Sequence, residues 1–307
     1  MTGNVAFVGS PGGHIDEAFE IAGRFARHGE RFWITAKTYQ TETLLAGEDV
    51  AWVPEVKSRE GHRALRSLAL AWRIMRSRQP RLVVSTGSAL TVPYMVAARA
   101  RRVPVTYVES ATRMSAPSLT GQIAEKVPGI ATFYQGEGWS RPGWSPCGSV
   151  FDGYAMRASP ESTVSTVLIT VGSEKYPFPR AIDAVKCAID GIDTAWQTGH
   201  TEVGGMDLPG EVRAWWPGDE LALRARSADV VITHAGVGSI LMALRAGSCP
   251  VVIPRLRALG EHVDDHQIEL AQLLASRGVV VVAMPGDDMS ARLAEAGERR
   301  IVKVETA

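Results

Sequence analysis

Two doubly wound α/β domains facing a common cleft are the fold class that this sequence predicts. Short β-branched apolar runs alternate with amphipathic segments, the rhythm of parallel strands separated by helices. That rhythm breaks once near the middle of the chain and then restarts. The length of 307 residues is about two domains on a prior of ~150 residues each, and 45% apolar composition is enough to fill both cores.

In the first half, strands are expected at 4–8, 31–35, 50–53, 82–85, 105–109 and 130–133, with helices at 17–28, 63–78 and 92–101. In the second half, strands are expected at 166–170, 193–197, 230–233, 250–253 and 279–282, with helices at 180–189, 238–245 and 264–276. Between them, residues 136–165 are dense in Gly, Pro and Ser and poor in periodicity. The expected division is a first domain over 1–145, a linker over 146–163 and a second domain over 164–307. In open parallel sheets, ligands bind outside the carboxyl ends of the strands, so loops following strands are where chemistry is expected.

Bulk features narrow the function class. No apolar run reaches the ~18 residues of a membrane span, and the start lacks a basic segment followed by a long apolar core, so neither signal peptide nor anchor is expected. Cys147, Cys187 and Cys249 are odd in number and far apart, which fits a reducing cytoplasm and argues against a disulfide or metal framework. Formal net charge is zero, yet the first 135 residues carry 17 Lys or Arg against 11 Asp or Glu, so the first half is expected to meet something anionic. Nothing points to nucleic acid. The segment 63–78 reads as a helix with a core face of Leu65, Leu68, Ala69, Trp72 and Met75. Its opposite face mixes Leu70 and Ile74 with Arg63, Arg66, Arg73 and Arg78, as an interfacial helix would.

Three motifs follow strands. Gly9-Ser-Pro-Gly-Gly-His14 can wrap a phosphate with backbone N–H groups at a helix start, and it lacks the spacing of a dinucleotide fingerprint. For the glycines alone, a plain strand-to-helix turn is an equal reading. His234-Ala-Gly-Val-Gly-Ser239 repeats the arrangement, with Ser239 able to cap the helix, and Val171-Gly172-Ser173-Glu174 follows another strand. Three such turns suggest a diphosphate ligand. Leu259-Gly-Glu261-His262-Val-Asp-Asp265-His266-Gln267 offers mixed donors and acceptors suited to sugar hydroxyls, with metal binding by His262 and His266 the weaker alternative and a solvated, helix-capping loop the bland one. Trp215 and Trp216 offer a face for a nucleobase or, equally, core.

The run Thr233-His-Ala-Gly-Val-Gly-Ser-Ile-Leu, with Gly247-Ser-Cys-Pro-Val-Val-Ile-Pro-Arg and Asp265-His-Gln, resembles the donor half of glycosyltransferase family 28. Ser10-Pro-Gly-Gly-His, Ser85-Thr-Gly-Ser, Tyr107-Val-Glu-Ser-Ala-Thr-Arg and Ser118-Leu-Thr-Gly resemble the acceptor subunit of the two-part dolichyl-diphosphate-sugar N-acetylglucosaminyltransferase. Together they resemble a fusion of both subunits, and Pro254-Arg-Leu-Arg-Ala-Leu-Gly-Glu-His leans toward bacterial exopolysaccharide transferases of glucuronosyl type. The resemblance implies the GT-B fold and a UDP-sugar as co-substrate with no other cofactor. It implies a polyprenyl-diphosphate-linked saccharide as acceptor, inversion at the anomeric carbon without a metal, and peripheral attachment to the inner face of the cell membrane. Residue by residue, it implies Gly172, Ser173, His234, Gly236, Val237, Gly238, Ser239, Glu261, His266 and Gln267 on the donor, and Gly12, Gly13, Ser110 and Arg113 on the acceptor. His14 is the first choice for the base and Glu109 the second, with a structural role for Glu109 equally open. Met242 departs from the pattern, standing where relatives carry a ribose-binding carboxylate. A nucleotide-sugar epimerase of the same fold and a non-catalytic partner subunit are the rival readings.

Overall fold

The computed structural model describes residues 4–56, 61–114, 116–136, 141–159, 163–172, 176–262 and 265–304, with backbone alone at 61–66. The chain divides into two compact units, Met1–Val150 and Phe151–Ala307.

The first unit runs β1 (Val5–Val8), α1 (Gly13–Ile21), β2 (Arg31–Ala36), α2 (Tyr39–Leu44), β3 (Val50–Val53), α3 (Gly61–Arg78), β4 (Leu82–Ser85), α4 (Val92–Ala100), β5 (Val105–Val108), α5 (Leu119–Lys126), β6 (Ile130–Tyr134) and β7 (Trp144–Pro146). All seven strands are parallel, in the order β3-β2-β1-β4-β5-β6-β7. β1 and β5 are buried along their whole length, as strands covered by helices on both faces must be, which is why they read as continuous apolar runs.

The second unit runs β8 (Tyr154–Ala158), β9 (Thr166–Thr170), α6 (Pro179–Lys186), β10 (Asp193–Gln197), β11 (Glu211–Arg213), α7 (Gly218–Ser227), β12 (Val230–His234), α8 (Val237–Arg245), β13 (Val251–Ile253), α9 (His266–Ser276), β14 (Val281–Val282), α10 (Met289–Gly297) and β15 (Arg299–Lys303). Its main sheet is again parallel, in the order β11-β10-β9-β12-β13-β14, and β8 pairs antiparallel with β15. Both units are Rossmann-like. In each, the strand order reverses once, between β1 and β4 in the first and between β9 and β12 in the second. These reversal points open a crevice at the carboxyl ends of their strands.

Two expectations change. The segment 146–163, read as a linker, contains β8, and β7 joins the first sheet against β6 with Trp144 buried. Its Gly, Pro and Ser residues do make turns, but a strand whose partner is the last in the chain leaves no local periodicity to read. The core face of α3 is also rotated: Met75 is buried as expected, but Leu68, Ala69 and Trp72 of the expected core face are exposed. Ala71 and Met75 are buried and Leu70 and Ile74 pack against the core, while Leu68 and Trp72 are 37% and 43% exposed. A small residue at 71 lets α3 close on α4, and Trp72 tolerates solvent because the Arg101 guanidinium lies 5.5 Å from its ring centroid. The side chains of Arg63, Leu65 and Arg66 lie outside the described residues.

This orientation predicts unequal costs for one charge placed at adjacent positions. Ala71→Glu should cost about 3 kcal/mol or more by burying an unpaired carboxylate, and Trp72→Glu about 1 kcal/mol or less. Equal losses in denaturant unfolding would contradict the assignment of faces.

Candidate functional site

In the first unit, the loop after β1 crosses the reversal point to meet the loop after β4. Gly12 caps α1 at φ +92°, a conformation that favours glycine, and its N–H donates to Gln40 Oε1 at 2.8 Å. That amide is therefore occupied by α2 and not aimed at a ligand. Gly13 opens α1. His14 Nδ1 lies 2.8 Å from the Thr86 carbonyl, and the Thr86 hydroxyl donates back to the His14 carbonyl. A carbonyl only accepts, so Nδ1 carries the proton and Nε2 keeps its lone pair. Burial holds the imidazole below its ordinary pKa, against the Thr86 bond and with help from the positive charge of Arg113, so the ring is neutral at pH 7. Gly87 makes room for it: φ is +111°, and a Cβ there would lie 3.1 Å from His14 Cε1 and 3.2 Å from the Tyr107 hydroxyl. Sequence reasoning passed over Gly87 and Thr86 as site residues, although their place after β4, beside the reversal point, is a signal that could have found them.

Behind this loop lie two buried acids. Glu109 is fully buried, with Oε1 accepting from the Tyr107 hydroxyl and the Ser110 amide, both at 3.1 Å. Its Oε2 accepts from the Ser118 amide at 2.8 Å and the Ser118 hydroxyl at 3.1 Å. A Cβ on Gly121 would fall onto that same oxygen. Oε2 holds the start of α5 and Oε1 is taken by Tyr107 and Ser110, so both oxygens are engaged, which fits the structural reading of Glu109. Glu17, on α1, accepts from the Ser110 hydroxyl at 2.6 Å, the Ala111 amide at 3.2 Å and Gln135 Nε2 at 2.7 Å. Burial nonetheless pushes its carboxyl up to about 8, with the charge of Glu109 adding to the effect. The Ser110 hydroxyl is thus turned inward to Glu17, while Arg113 is close enough to His14 to act on its charge.

The second unit uses the same crevice differently. β12 ends in His234, which is buried between two glycines: a Cβ on Gly172 or on Gly236 would fall onto its ring. Gly172, at φ +83°, belongs to the loop after β9 across the reversal point. These glycines leave room for an imidazole, where the sequence suggested room for a phosphate. Burial, then the charge of Arg255, lowers His234 to about 3, so it is neutral throughout the physiological range. Gly236 is the N-cap of α8, with Val237, Gly238 and Ser239 as its first turn. Ser239 is accordingly the third helical residue and not the cap. The first amides of a helix have no acceptor within it, so this turn points unpaired N–H groups and the positive end of the helix outward.

Two of the remaining predicted donor residues, Glu261 and Gln267, serve the frame. The Glu261 carboxylate takes two 2.8 Å bonds from Arg180 and one of 2.9 Å from the Leu256 amide, and Gln267 Oε1 accepts from the Arg255 amide at 3.0 Å. His266 opens α9, with its ring 4.8 Å from that of His262. Trp216 is core, with Arg213 and Arg224 at 4.1 and 3.8 Å from its ring, whereas Trp215 is 44% exposed and meets His200 edge-on. Met242 packs against the cluster around Trp216. Ser173 and Glu174 lie outside the described residues.

If His234 is what forbids a side chain at 236, the two positions are coupled. Gly236→Ala should lower stability by about 2 kcal/mol or more, and most of that loss should vanish in a His234→Ala background. Strictly additive effects in thermal unfolding of the four proteins would remove the wedge.

Comparison with known proteins agrees with this geometry. Residues 218–298 match the glycosyltransferase family 28 C-terminal domain. The UDP-N-acetylglucosamine transferase subunit ALG13 of Yarrowia lipolytica is 39% identical over 71 residues, 23% of this chain and 34% of that one, so the match spans about a third of that relative. The UDP-N-acetylglucosamine--N-acetylmuramyl-(pentapeptide) pyrophosphoryl-undecaprenol N-acetylglucosamine transferase of Alcanivorax borkumensis is 25% identical over 321 residues, covering 95% of this chain and 87% of its own. The crystal structure of MurG from Acinetobacter baumannii superposes with a TM-score of 0.57 at 18% identity, over 95% of this chain and 89% of that one, which speaks to the GT-B fold. The two Rossmann-like units are those of the GT-B fold, and these likenesses support a family 28 glycosyltransferase, the family whose C-terminal domain residues 218–298 match.

Proposed function

We propose that this chain transfers a sugar, N-acetylglucosamine, glucuronic acid or a close relative, from a UDP-sugar to a saccharide carried on polyprenyl diphosphate, in the building of a cell-surface polysaccharide. The observation that carries the reading is His14. It is a neutral imidazole locked by Thr86 so that Nε2 keeps a lone pair, in the first turn of α1, in the unit where the acceptor is expected. Of the relatives named above, one is a subunit of a UDP-N-acetylglucosamine transferase, and the other is an N-acetylglucosamine transferase named for a pyrophosphoryl-undecaprenol substrate.

In this reading Nε2 takes the proton of the acceptor hydroxyl as its oxygen attacks the anomeric carbon. The bond from that carbon to the β-phosphate oxygen breaks, and UDP leaves with the electron pair, giving inversion. The unpaired amides of α8 stabilise the charge that develops on the leaving diphosphate. In this reading the route needs no metal, because the helix start supplies the stabilising charge at the leaving group. Trp215 offers its open face to the nucleobase.

Attachment to the cytoplasmic face of a membrane belongs to the same proposal. Among the described residues no helix is long and apolar enough to cross a bilayer. The outer face of α3 instead presents Leu68 and Trp72 beside the exposed Arg73 and Arg76, the composition of an interfacial helix.

His14→Ala should lower turnover ~100-fold with UDP affinity nearly unchanged. Because its folded pKa is lowered, the parent should hold its rate down to pH 6.5 and lose it only below, as the ring gains a proton. An acid limb that persists unchanged in the mutant would assign it to another group. For the membrane, Leu68→Ser with Trp72→Ser should abolish cosedimentation with phosphatidylglycerol vesicles, and Arg73→Glu with Arg76→Glu should weaken it at low salt and reduce its dependence on salt. Undiminished binding by the first double mutant would exclude this face.

A further inference from the structure

Arginine is almost never fully buried unless its donors are satisfied, yet Arg255, two residues past β13, is 1% exposed. Its guanidinium donates from Nη1 to the carbonyls of Tyr176 at 2.8 Å, Pro177 at 3.3 Å and Glu261 at 3.4 Å, and from Nη2 to the carbonyl of Val171 at 2.9 Å. The group lies 4.4 Å from the centre of the buried Phe178 ring. Its own amide is held by Gln267 at the start of α9. Arg180 approaches the same ring at 5.2 Å, binds the Glu261 carboxylate and donates to the Pro254 carbonyl at 2.7 Å. One side chain thus ties together the segment leaving β9, the entry to α6, the loop after β13 and, through its backbone, α9. None of the chemistry above calls on it.

We propose that Arg255 is the positioning residue of the donor site: its planar fork holds the loops after β9 and β13 in register with the His234 turn, and so sets the place of the donor diphosphate. The Val171 carbonyl it grips belongs to the residue before Gly172, against which the His234 ring is lodged. A shift of that peptide moves the imidazole and the opening of α8 together. The charge of the guanidinium also reaches His234, where it helps to keep the ring neutral. Lysine cannot substitute, because a point charge on a flexible stem has no fork to span carbonyls from separate segments. The inference rests on the donor reading given under Proposed function.

The test is titration calorimetry with UDP on the parent, Arg255→Lys, Arg255→Met and, as a control for the same chemical change on the surface, Arg292→Lys, below the unfolding temperature of each. Arg255→Lys should bind UDP about tenfold more weakly, Arg255→Met more weakly still, and Arg292→Lys as the parent does. Parental affinity in folded Arg255→Lys overturns the inference alone. A parent with no saturable UDP heat overturns the donor reading and the inference with it. Where Arg255 variants do not fold, hydrogen exchange on the parent decides. UDP should slow exchange in 176–178 and 256–261 together with 234–239, and slowing confined to 234–239 overturns the proposal.

Discussion

Each unit depends on how one histidine fills the place where its sheet reverses. A doubly wound sheet parts its loops at the reversal point and leaves a crevice there. His14 crosses it in the first unit from the first turn of α1 to the Thr86 carbonyl, and Gly87 gives way to the ring. In the second unit the crossing runs the other way: His234 comes from β12, and Gly172, after β9, gives way. Glycine at these positions is required by an imidazole, and the positive φ at both Gly87 and Gly172 adds a second reason that no other residue serves. The ring then fixes the spacing of two loops that no sheet hydrogen bond joins.

Sheet order follows from this in the physical sense that everything else is arranged to keep those loops still. In the first unit the work falls to buried acids. Glu109 anchors the entry to α5, and Glu17 anchors α1 to the loop after β5, with Gln135 donating both to Glu17 and to the Glu109 carbonyl. Keeping two carboxyl groups so close in a dry place is costly unless one holds its proton, and Glu17, raised to about 8, is the one that does. In the second unit a buried cation does the equivalent work. Arg255 gathers backbone carbonyls, and Arg180 closes on Glu261 beside it.

Much of this was legible in the residues. The parallel sheets announced themselves because strands buried on both faces must be continuously apolar, and the glycine turns stood out because they follow such strands directly. Short strands at the edges were not legible: β7, β11 and β15 are three to five residues long and carry no repeating pattern. The faces of α3 were misread because bulk was taken for burial, whereas the contact with α4 selected Ala71 and left Trp72 under Arg101. Among site residues, the type of side chain was easier to read than its direction. Glu261, Gln267 and Ser110 were selected as groups able to bind sugar or phosphate, and they do bind, but to Arg180, to the Arg255 amide and to Glu17. Polar groups in a loop satisfy each other first, and sequence alone does not say which are left over.

The two histidines then divide by what surrounds their nitrogens. Both are neutral, and burial is the leading cause in each. His14 is only half-buried, and one nitrogen is spent on Thr86, so what remains is a single acceptor of fixed direction at the edge of the loop. His234 is buried between Gly172 and Gly236, and that burial, with the charge of Arg255 adding to it, lowers its pKa to about 3. A group that holds no proton above that value cannot serve as a base near neutral pH, because it has almost no tendency to accept one. It can serve as a rigid spacer that keeps its shape at every physiological pH. The same side chain thus keeps an open acceptor in one unit and is withdrawn from proton exchange in the other; a neighbouring arginine lowers both rings, and the difference comes from exposure.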